Sequence, residues 1–264
     1  MRQDDVLLKW TGSKRLSAPQ IVRHFPTRIE TYYEPFVGGG SILYTLIDLE
    51  WDVERYCCSD ANLTLIQIWL LVKENPRQLL DAYEQLWPFD SYKYYKIRDE
   101  FNEDQDPAKL FCLLRSCRNG LVRYNSKGDF TSGFHHRRKG IRPDKLERIL
   151  LHWQRKLVEK QVAFRALDYR IVSASPGDFI YLDPPYVSED AFYSGRFEFE
   201  PFWHWLAHQK ASWALSLNSD PSMVPVLYEQ HEVVLNRMSK FDQLNGNDRP
   251  ISHDNLYIHR EEKS

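Results

Sequence analysis

Cysteine is scarce in this chain, and the four present (Cys57, Cys58, Cys112 and Cys117) do not suit a metal site. Adjacent Cys57 and Cys58 can hardly share one tetrahedral ion, and no second pair stands at ligand spacing. They read as structural free thiols, and no metal is expected. Long apolar runs are missing too. The longest strongly apolar stretch, Leu65 to Val72, is about eight residues and includes Gln67, where a membrane span needs roughly 20. The opening MRQDDVLLKW has no long apolar core, so it does not read as a secretory signal. A soluble, cytoplasmic protein without a membrane partner is expected. Internal repeats, low-complexity linkers and a G-x-G-x-x-G turn are also absent. So is any excess of charge: 35 basic side chains face 37 acidic ones, a net charge of −2 that argues at first against a polyanionic partner.

Aromatics are plentiful. Eight Trp, 15 Tyr and 14 Phe in 264 residues supply ample surface to bury and exclude a disordered chain. The length suits one globular unit or a core carrying one sizeable insertion. The charge is also unevenly spread. From Arg115 to Arg148 lie ten basic residues (Arg115, Arg118, Arg123, Lys127, Arg137, Arg138, Lys139, Arg142, Lys145 and Arg148) against three acids, a window of +7 that leaves −9 for the rest. Tyr124, Phe130, Phe134, His135 and His136 are interleaved with these cations. Cations for phosphates beside planar groups for bases are the composition of a nucleic-acid surface, although a solvated helix face has a similar charge pattern.

The first sixty residues have the order strand, glycine turn, helix, strand. Thr31 to Val37 is aromatic and β-branched and runs into Gly38-Gly39-Gly40. Ser41 stands where a helix N-cap would, before the mostly apolar ILYTLIDLEW, and Glu54 to Ser59 reads as a second strand with Asp60 at its carboxyl end. From Ala61 to about Leu157 the periodicity is helical, with faces at Leu63, Ile66, Leu70 and Leu71, at Leu79, Leu80, Tyr83 and Leu86, and at Leu110, Leu113 and Leu114. The stretch Asn119 to Gly133 interrupts it as a loop or hairpin. Strand patterns return at Gln161 to Ala166, Phe179 to Leu182, Ser212 to Leu217, Glu232 to Asn236 and Asn255 to His259. Helices are expected near Phe202 to Lys210 and Pro221 to Gln230. Alternating strands and helices predict a largely parallel, doubly wound α/β sheet that binds ligands at the strands' carboxyl ends. The expected organisation is a catalytic domain in two parts, 1–62 and 158–264, split by a helical insertion at 63–157.

Two constellations carry chemistry. Three glycines after a strand allow positive φ and close approach of a ligand to the backbone, and Asp60, twenty positions after Gly40, stands where a carboxylate can hold ribose hydroxyls. GGG favours an adenosine ligand without a pyrophosphate, such as S-adenosylmethionine, over a dinucleotide; a plain tight turn with a capping acid is the alternative. The second is Asp183-Pro184-Pro185-Tyr186 after the apolar strand Phe179 to Leu182. Two prolines stiffen the backbone and remove two N–H donors, leaving a ledge rich in acceptors beneath an aromatic ring. The Asp183 carboxylate and the Pro184 carbonyl can take both N–H groups of an exocyclic amine and favour the pyramidal geometry it needs to attack a methyl group. Tyr186 can stack on the base, which must leave a duplex to reach such a site.

With these residues in view, the chain resembles the Dam-type, class alpha, DNA adenine N6-methyltransferases over nearly its full length. Leu8-Lys9-Trp10-Thr11-Gly12-Ser13-Lys14 is similar to the family's LKWxGxK segment, and Glu34-Pro35-Phe36-Val37-Gly38-Gly39-Gly40 to its cofactor loop. Ser59 to Asn62 resembles the ribose-binding turn, and Asn119-Gly120-Leu121-Val122-Arg123-Tyr124-Asn125 the NGLxRxN element of target recognition, with Gly128 and Phe130 following. The resemblance implies a Rossmann-like S-adenosylmethionine-dependent methyltransferase sheet with a mainly helical target-recognition insertion. It implies that Trp10, Lys14, Glu34, Pro35, Phe36, Gly38, Gly39, Gly40, Ser41, Asp60 and Asp183 frame the S-adenosylmethionine pocket, with Asp168-Tyr169 near its adenine. It puts Asn119, Arg123, Tyr124, Asn125, Lys127, Arg137, Arg138 and Lys139 at double-stranded DNA, where Arg can read guanine and Asn adenine. Tyr193, Phe197 and Phe199 stand as holders of the flipped base or as core. It also implies a monomer encoded by a bacterium or phage, with S-adenosylhomocysteine as product and a cognate restriction endonuclease as a companion in some settings.

The chain departs from the family at Ser13, where glycine is more frequent, and matches it only loosely over Val187 to Glu200 and Lys240 to His253. Other readings stay open at this point. The ledge recognises an amine rather than one base, so cytosine N4 or an RNA base is an alternative target. A non-catalytic DNA-binding or specificity partner is another. A nicotinamide-dependent oxidoreductase would rest on the glycine turn alone.

Overall fold

The computed structural model describes residues 6–137, 140–185, 197–217, 229–237 and 252–260. A short helix, α1 (Ala18–Val22), precedes β1 (Arg28–Glu34), α2 (Ser41–Asp48) and β2 (Asp52–Asp60). Five helices follow: α3 (Leu63–Glu74), α4 (Pro76–Leu86), α5 (Ser91–Asp104), α6 (Pro107–Ser116) and α7 (Pro143–Glu159). The sheet resumes with β3 (Ala163–Ala166), β4 (Phe179–Leu182), α8 (Phe199–Ala207), β5 (Ser212–Leu217), β6 (Glu229–Arg237) and β7 (Ser252–His259). Among the described residues no helix is long and apolar enough to cross a membrane.

Among the described residues, seven strands lie in the order β3-β2-β1-β4-β5-β7-β6. Neighbours from β3 to β5 are parallel, while β7 runs antiparallel to both β5 and β6. This is the doubly wound order with one reversed strand inserted near an edge, and its point of reversal lies between β1 and β4, where such sheets bind ligands. On β4, Phe179 and Tyr181 join one hydrophobic cluster and Ile180 and Leu182 the other, so both faces of this strand are covered. That double burial is why β4 reads as an unbroken apolar run, and both β4 and β5 are found where the sequence places them.

Elsewhere the bounds shift for physical reasons. β1 begins and ends three residues before the expected Thr31 to Val37, because Pro35 has no N–H to continue a ladder and the residues after it form the turn. β3 is shorter than Gln161 to Ala166, since Gln161 takes φ 49° on leaving α7. The first helix residue of α2 is Ser41, and its N-cap is Gly40 in the left-handed region rather than Ser41. α8 lies three residues before the expected Phe202 to Lys210. Of the helix expected at Pro221 to Gln230, residues 221–228 lie outside the described residues and 229–230 open β6. On α3 the core face is Leu65, Ile66, Ile68, Trp69 and Val72, and Leu63, expected on it, is 59% exposed.

α3 to α7 form a packed group, with α3 against α4, α6 and α7, and α5 against α6. Their starts are written locally. Asn62, Asp90 and Asp106 accept from the backbone N–H of Leu65, Lys93 and Lys109, and α4, α6 and α7 open on proline. α3 also packs on β2 and β3, which roots the group in the sheet.

Candidate functional site: a cleft at the carboxyl ends of β1, β2 and β4

β1, β2 and β4 all end on one cavity of about 540 Å³. Trp10, Lys14, Glu34, Pro35, Phe36, Gly38, Gly39, Gly40, Ser41, Asp60, Asp168, Tyr169 and Asp183 line it, with Pro184 and Pro185 beside them. The residues the sequence groups around a cofactor therefore share one wall. Tyr186 and Tyr193 lie outside the described residues.

The glycine turn is shaped by Val37 N–H donating to Ser59 O (3.0 Å) and Gly40 N–H to Val37 O (2.8 Å). Its glycines answer chiefly to tryptophan. Gly38 has φ 46°, and a Cβ there would lie 2.8 Å from Trp10 Cδ1; Gly40 has φ 67°, and a Cβ there would lie 2.8 Å from Trp69 Cζ2. Both positions need the left-handed backbone and the missing Cβ. Trp69 Nε1 donates to Gly38 O (3.0 Å), and its ring lies 5.0 Å from that of Trp153 and 5.4 Å from that of Phe164. Sequence reasoning missed Trp69 and Trp153, since neither belongs to the motif they support.

Asp60 closes β2. Its Oδ2 accepts from Gly38 N–H (3.2 Å) and its Oδ1 from Asn62 N–H (3.0 Å), and burial pushes its carboxyl up to about 6. Glu34 is more deeply placed at 2% exposure. Tyr32 Oη donates to its Oε2 (2.9 Å), yet burial, together with Asp183 and Asp60 nearby, pushes it up to about 8. Desolvation penalises the charged form of both acids.

Asp183 follows β4 and meets the buried ammonium of Lys14, whose Nζ donates to its Oδ1 (2.6 Å). Ser13 Oγ and Ser41 Oγ are 2.9 Å apart, so the serine found where glycine is more frequent ties the amino-terminal segment to the turn. Asp168 caps the 3-10 turn Tyr169–Ile171 and is held below the usual carboxylate range by Arg170, whose Nε lies 2.8 Å away. Tyr169 packs with Phe36 (5.6 Å), Phe197 (5.7 Å) and Phe202 (5.5 Å), forming an aromatic wall that Phe197 extends into the cavity.

The basic window divides. Arg115 is buried, and its Nη1 donates to Val6 O (2.6 Å) and Leu7 O (2.8 Å), so it holds the amino-terminal segment rather than facing a ligand. Arg142 and Arg148 reach Asp144 on α7. Arg118, Arg123, Lys127 and Arg137 are exposed, whereas Arg138 and Lys139 lie outside the described residues. Asn119 sits in the 3-10 turn Arg118–Gly120. The expected hairpin has two isolated bridges, Cys117 with Phe134 and Tyr124 with Phe130.

Two residues expected at DNA have other engagements. Asn125 Oδ1 accepts from Lys127 N–H and Asp129 N–H (2.9 Å each) and its Nδ2 donates to Asp129 Oδ2 (2.8 Å), so its amide builds the turn. Tyr124 lines the cavity beside Gln105, Asn62 and Gly128, and burial pushes its phenol up to about 12. Asn102 on α5 clasps Phe130 through both of its amide atoms, at 2.8 and 3.3 Å. Neither Asn102 nor Gln105 carried a sequence signal.

Residues 10–204 match the family described as D12 class N6 adenine-specific DNA methyltransferase. A DNA adenine methylase of Serratia marcescens is 32% identical over 257 residues, covering 90% of this chain and 87% of that one. A DNA adenine methylase of Escherichia coli strain K12 is 31% identical over 250 residues, covering 90% and 84%. A type II methyltransferase of Lactococcus lactis subsp. cremoris is 30% identical over 192 residues, covering 68% and 64%. Because the matched span runs from Trp10 through the glycine turn and Asp60 to Asp183 and beyond, the chain belongs to the D12 class of N6 adenine-specific DNA methyltransferases.

Proposed function

We propose that this chain transfers a methyl group from S-adenosylmethionine to N6 of an adenine rotated out of duplex DNA, with donor and amine meeting in the cavity at the ends of β1, β2 and β4. The observation that carries this is the convergence of the glycine turn, Asp60 and the Asp183-Pro184-Pro185 ledge on that one cavity. Its lining fits the donor. Asp60 and Asp183 present carboxyl groups to a ligand of positive charge, with Glu34 beside them holding its proton, and Phe36, Tyr169 and Phe197 offer an aromatic wall to its adenine.

When bound, the donor supplies an electrophilic methyl group on a positively charged sulfur. Asp60 would hold the ribose hydroxyls, since a carboxylate has about four acceptor positions and the Gly38 and Asn62 N–H groups occupy two of them. Lys14 fixes Asp183 Oδ1 and so orients the carboxylate. Asp183 and the Pro184 carbonyl would then accept the two N–H bonds of the target amine, drawing its lone pair out of conjugation as attack proceeds. Exposed Arg123, Lys127 and Arg137 would meet phosphates or base edges and make binding depend on salt. In this reading residues 63–157 form the recognition part between the two catalytic parts, and the protein acts as a monomer. A paired restriction endonuclease would be protected against by the same methylation.

A labelled-methyl assay on unmethylated duplex DNA, followed by nucleoside analysis, tests the reading. N6-methyladenine is expected; N4-methylcytosine, or label in RNA alone, overturns it. Asp183→Ala should lower turnover by about 10²–10³-fold while DNA affinity is kept.

A further inference from the structure

The amino-terminal segment touches both functions at once. Toward the cavity it gives the Trp10 ring to the glycine turn, Ser13 to Ser41 and Lys14 to Asp183. Toward the recognition segment, Lys9 Nζ donates to Arg115 O (3.1 Å), and a Cβ on Gly120 would lie 2.9 Å from Lys9 Cβ. Between these ends stands Thr11. Its Oγ1 accepts from Val122 N–H (2.8 Å) and lies 3.4 Å from Val122 O, and it also lines the cavity. Val122 immediately precedes Arg123, an exposed cation of the hairpin. One residue further, Tyr124 turns back into the same cavity beside Asn62, the cap of α3 that follows Asp60.

Arg123 is thus bracketed by two contacts that both face the cofactor cavity, one through Thr11 and one through Tyr124. We propose that Thr11 and Tyr124 are positioning residues that set the recognition segment by reference to the cofactor cavity, so that cofactor occupancy and site-specific DNA binding are energetically coupled. Tyr124 acts here as an anchor of the hairpin rather than as a DNA contact. The inference rests on the functional reading above and assigns new roles to residues that reading does not use. A ligand filling the cavity packs against the walls that Thr11 and Tyr124 complete. It favours the seated hairpin, and by linkage DNA bound to the seated hairpin favours the ligand by the same factor.

The experiment measures DNA affinity by fluorescence anisotropy, with and without saturating S-adenosylhomocysteine, on a duplex carrying the sequence that the wild-type protein methylates. S-adenosylhomocysteine affinity is measured separately by calorimetry. The wild-type protein should bind DNA about fivefold or more tightly with S-adenosylhomocysteine present. In Thr11→Val, which keeps the shape and loses the hydroxyl, and in Tyr124→Phe, that ratio should fall toward one while each affinity alone stays within about threefold. Thr11→Ser should restore it. A wild-type ratio of one overturns the proposal, as does an equal loss of DNA affinity in Tyr124→Phe with and without S-adenosylhomocysteine, the signature of a direct DNA contact. A lowered Tm with the ratio intact overturns it too, because it marks a purely structural role. Failure of the wild-type protein to bind S-adenosylhomocysteine at all is a different result, and it removes the functional reading together with the proposal.

Discussion

The side of the cleft proposed for the cofactor sits on the carboxyl ends of parallel strands held by continuous ladders, whereas the side proposed for recognition, from Cys117 to Phe134, has two isolated bridges and no ladder. On the first side backbone hydrogen bonds and packed rings fix the geometry: Asp60 is held by two N–H groups, and Gly38 and Gly40 lie against Trp10 and Trp69. On the second, side chains substitute for the missing ladder. Asn102 clasps Phe130, Tyr94 Oη donates to Ser132 O (2.8 Å), Ser132 Oγ bridges Leu121 O and Arg123 N–H, and Thr11 meets Val122. A site on ladders and packed rings is pre-organised for chemistry common to a family. A segment held by single side-chain contacts can change its surface without disturbing the sheet, which suits the recognition role proposed for it.

Substitutions can break this comparison or sharpen it. Gly40→Ala should cost the most, about 2–5 kcal/mol in denaturant unfolding, because it adds left-handed strain to a collision with the Trp69 ring. S-adenosylhomocysteine binding should be lost with it; an unchanged midpoint would mean that the turn is far softer than its packing implies.

Glu34 comes next. Its carboxyl, near 4.5 when unfolded and pushed up to about 8 by burial, holds its proton in the folded state across a pH range where the unfolded chain has released it. Stability should therefore fall as pH rises through that range. Between pH 6 and 8, above the value of about 6 that burial gives Asp60, the slope from Glu34 approaches at most about 1.4 kcal/mol per pH unit. Glu34→Gln should flatten the profile of Tm against pH over that interval in the ligand-free protein, and an unchanged slope would deny Glu34 this role.

Asn102→Ala leaves both backbone groups of Phe130 without their side-chain partner and should cost about 1–2 kcal/mol. DNA affinity should fall while S-adenosylhomocysteine affinity stays; a parallel loss of both would erase the distinction between the two sides. Gly128→Ala should matter least. Gly128 has φ 87° but meets nothing within 4 Å, so about 1 kcal/mol of backbone strain is all it adds.

Legibility in the sequence followed the locality of the physics. β4 was readable because double burial makes it apolar over its length, β5 because Trp213, Ala214, Leu215 and Leu217 dominate it, and the caps Asn62, Asp90 and Asp106 stand beside the helices they start. β1 was displaced because Tyr32 and Tyr33 share their aromatic character with Phe36, which belongs to the turn beyond Pro35. That Asp183 and Asp60 would meet at one cavity was legible because proline stiffens the backbone locally and glycine permits the tight turn. The contacts of Arg115, Asn125 and Tyr124 were not, because charge and polarity identify what a side chain can do and only the fold decides what it touches.

By itself, then, the sequence determined the family, the alternation of strands and helices, and the two ends of the chemical constellation, all of which depend on residue type at short spacing. Tertiary structure decided three further things. It placed the reversed strand β7 between β5 and β6. It set tryptophans against the glycines of the turn and withdrew Arg115 from the basic surface to hold the amino-terminal segment. It also joined Thr11 to Val122 across 111 residues of chain. Each of these is a contact between segments distant in sequence, and such contacts are selected by the packing of the whole chain rather than by the preference of any one stretch.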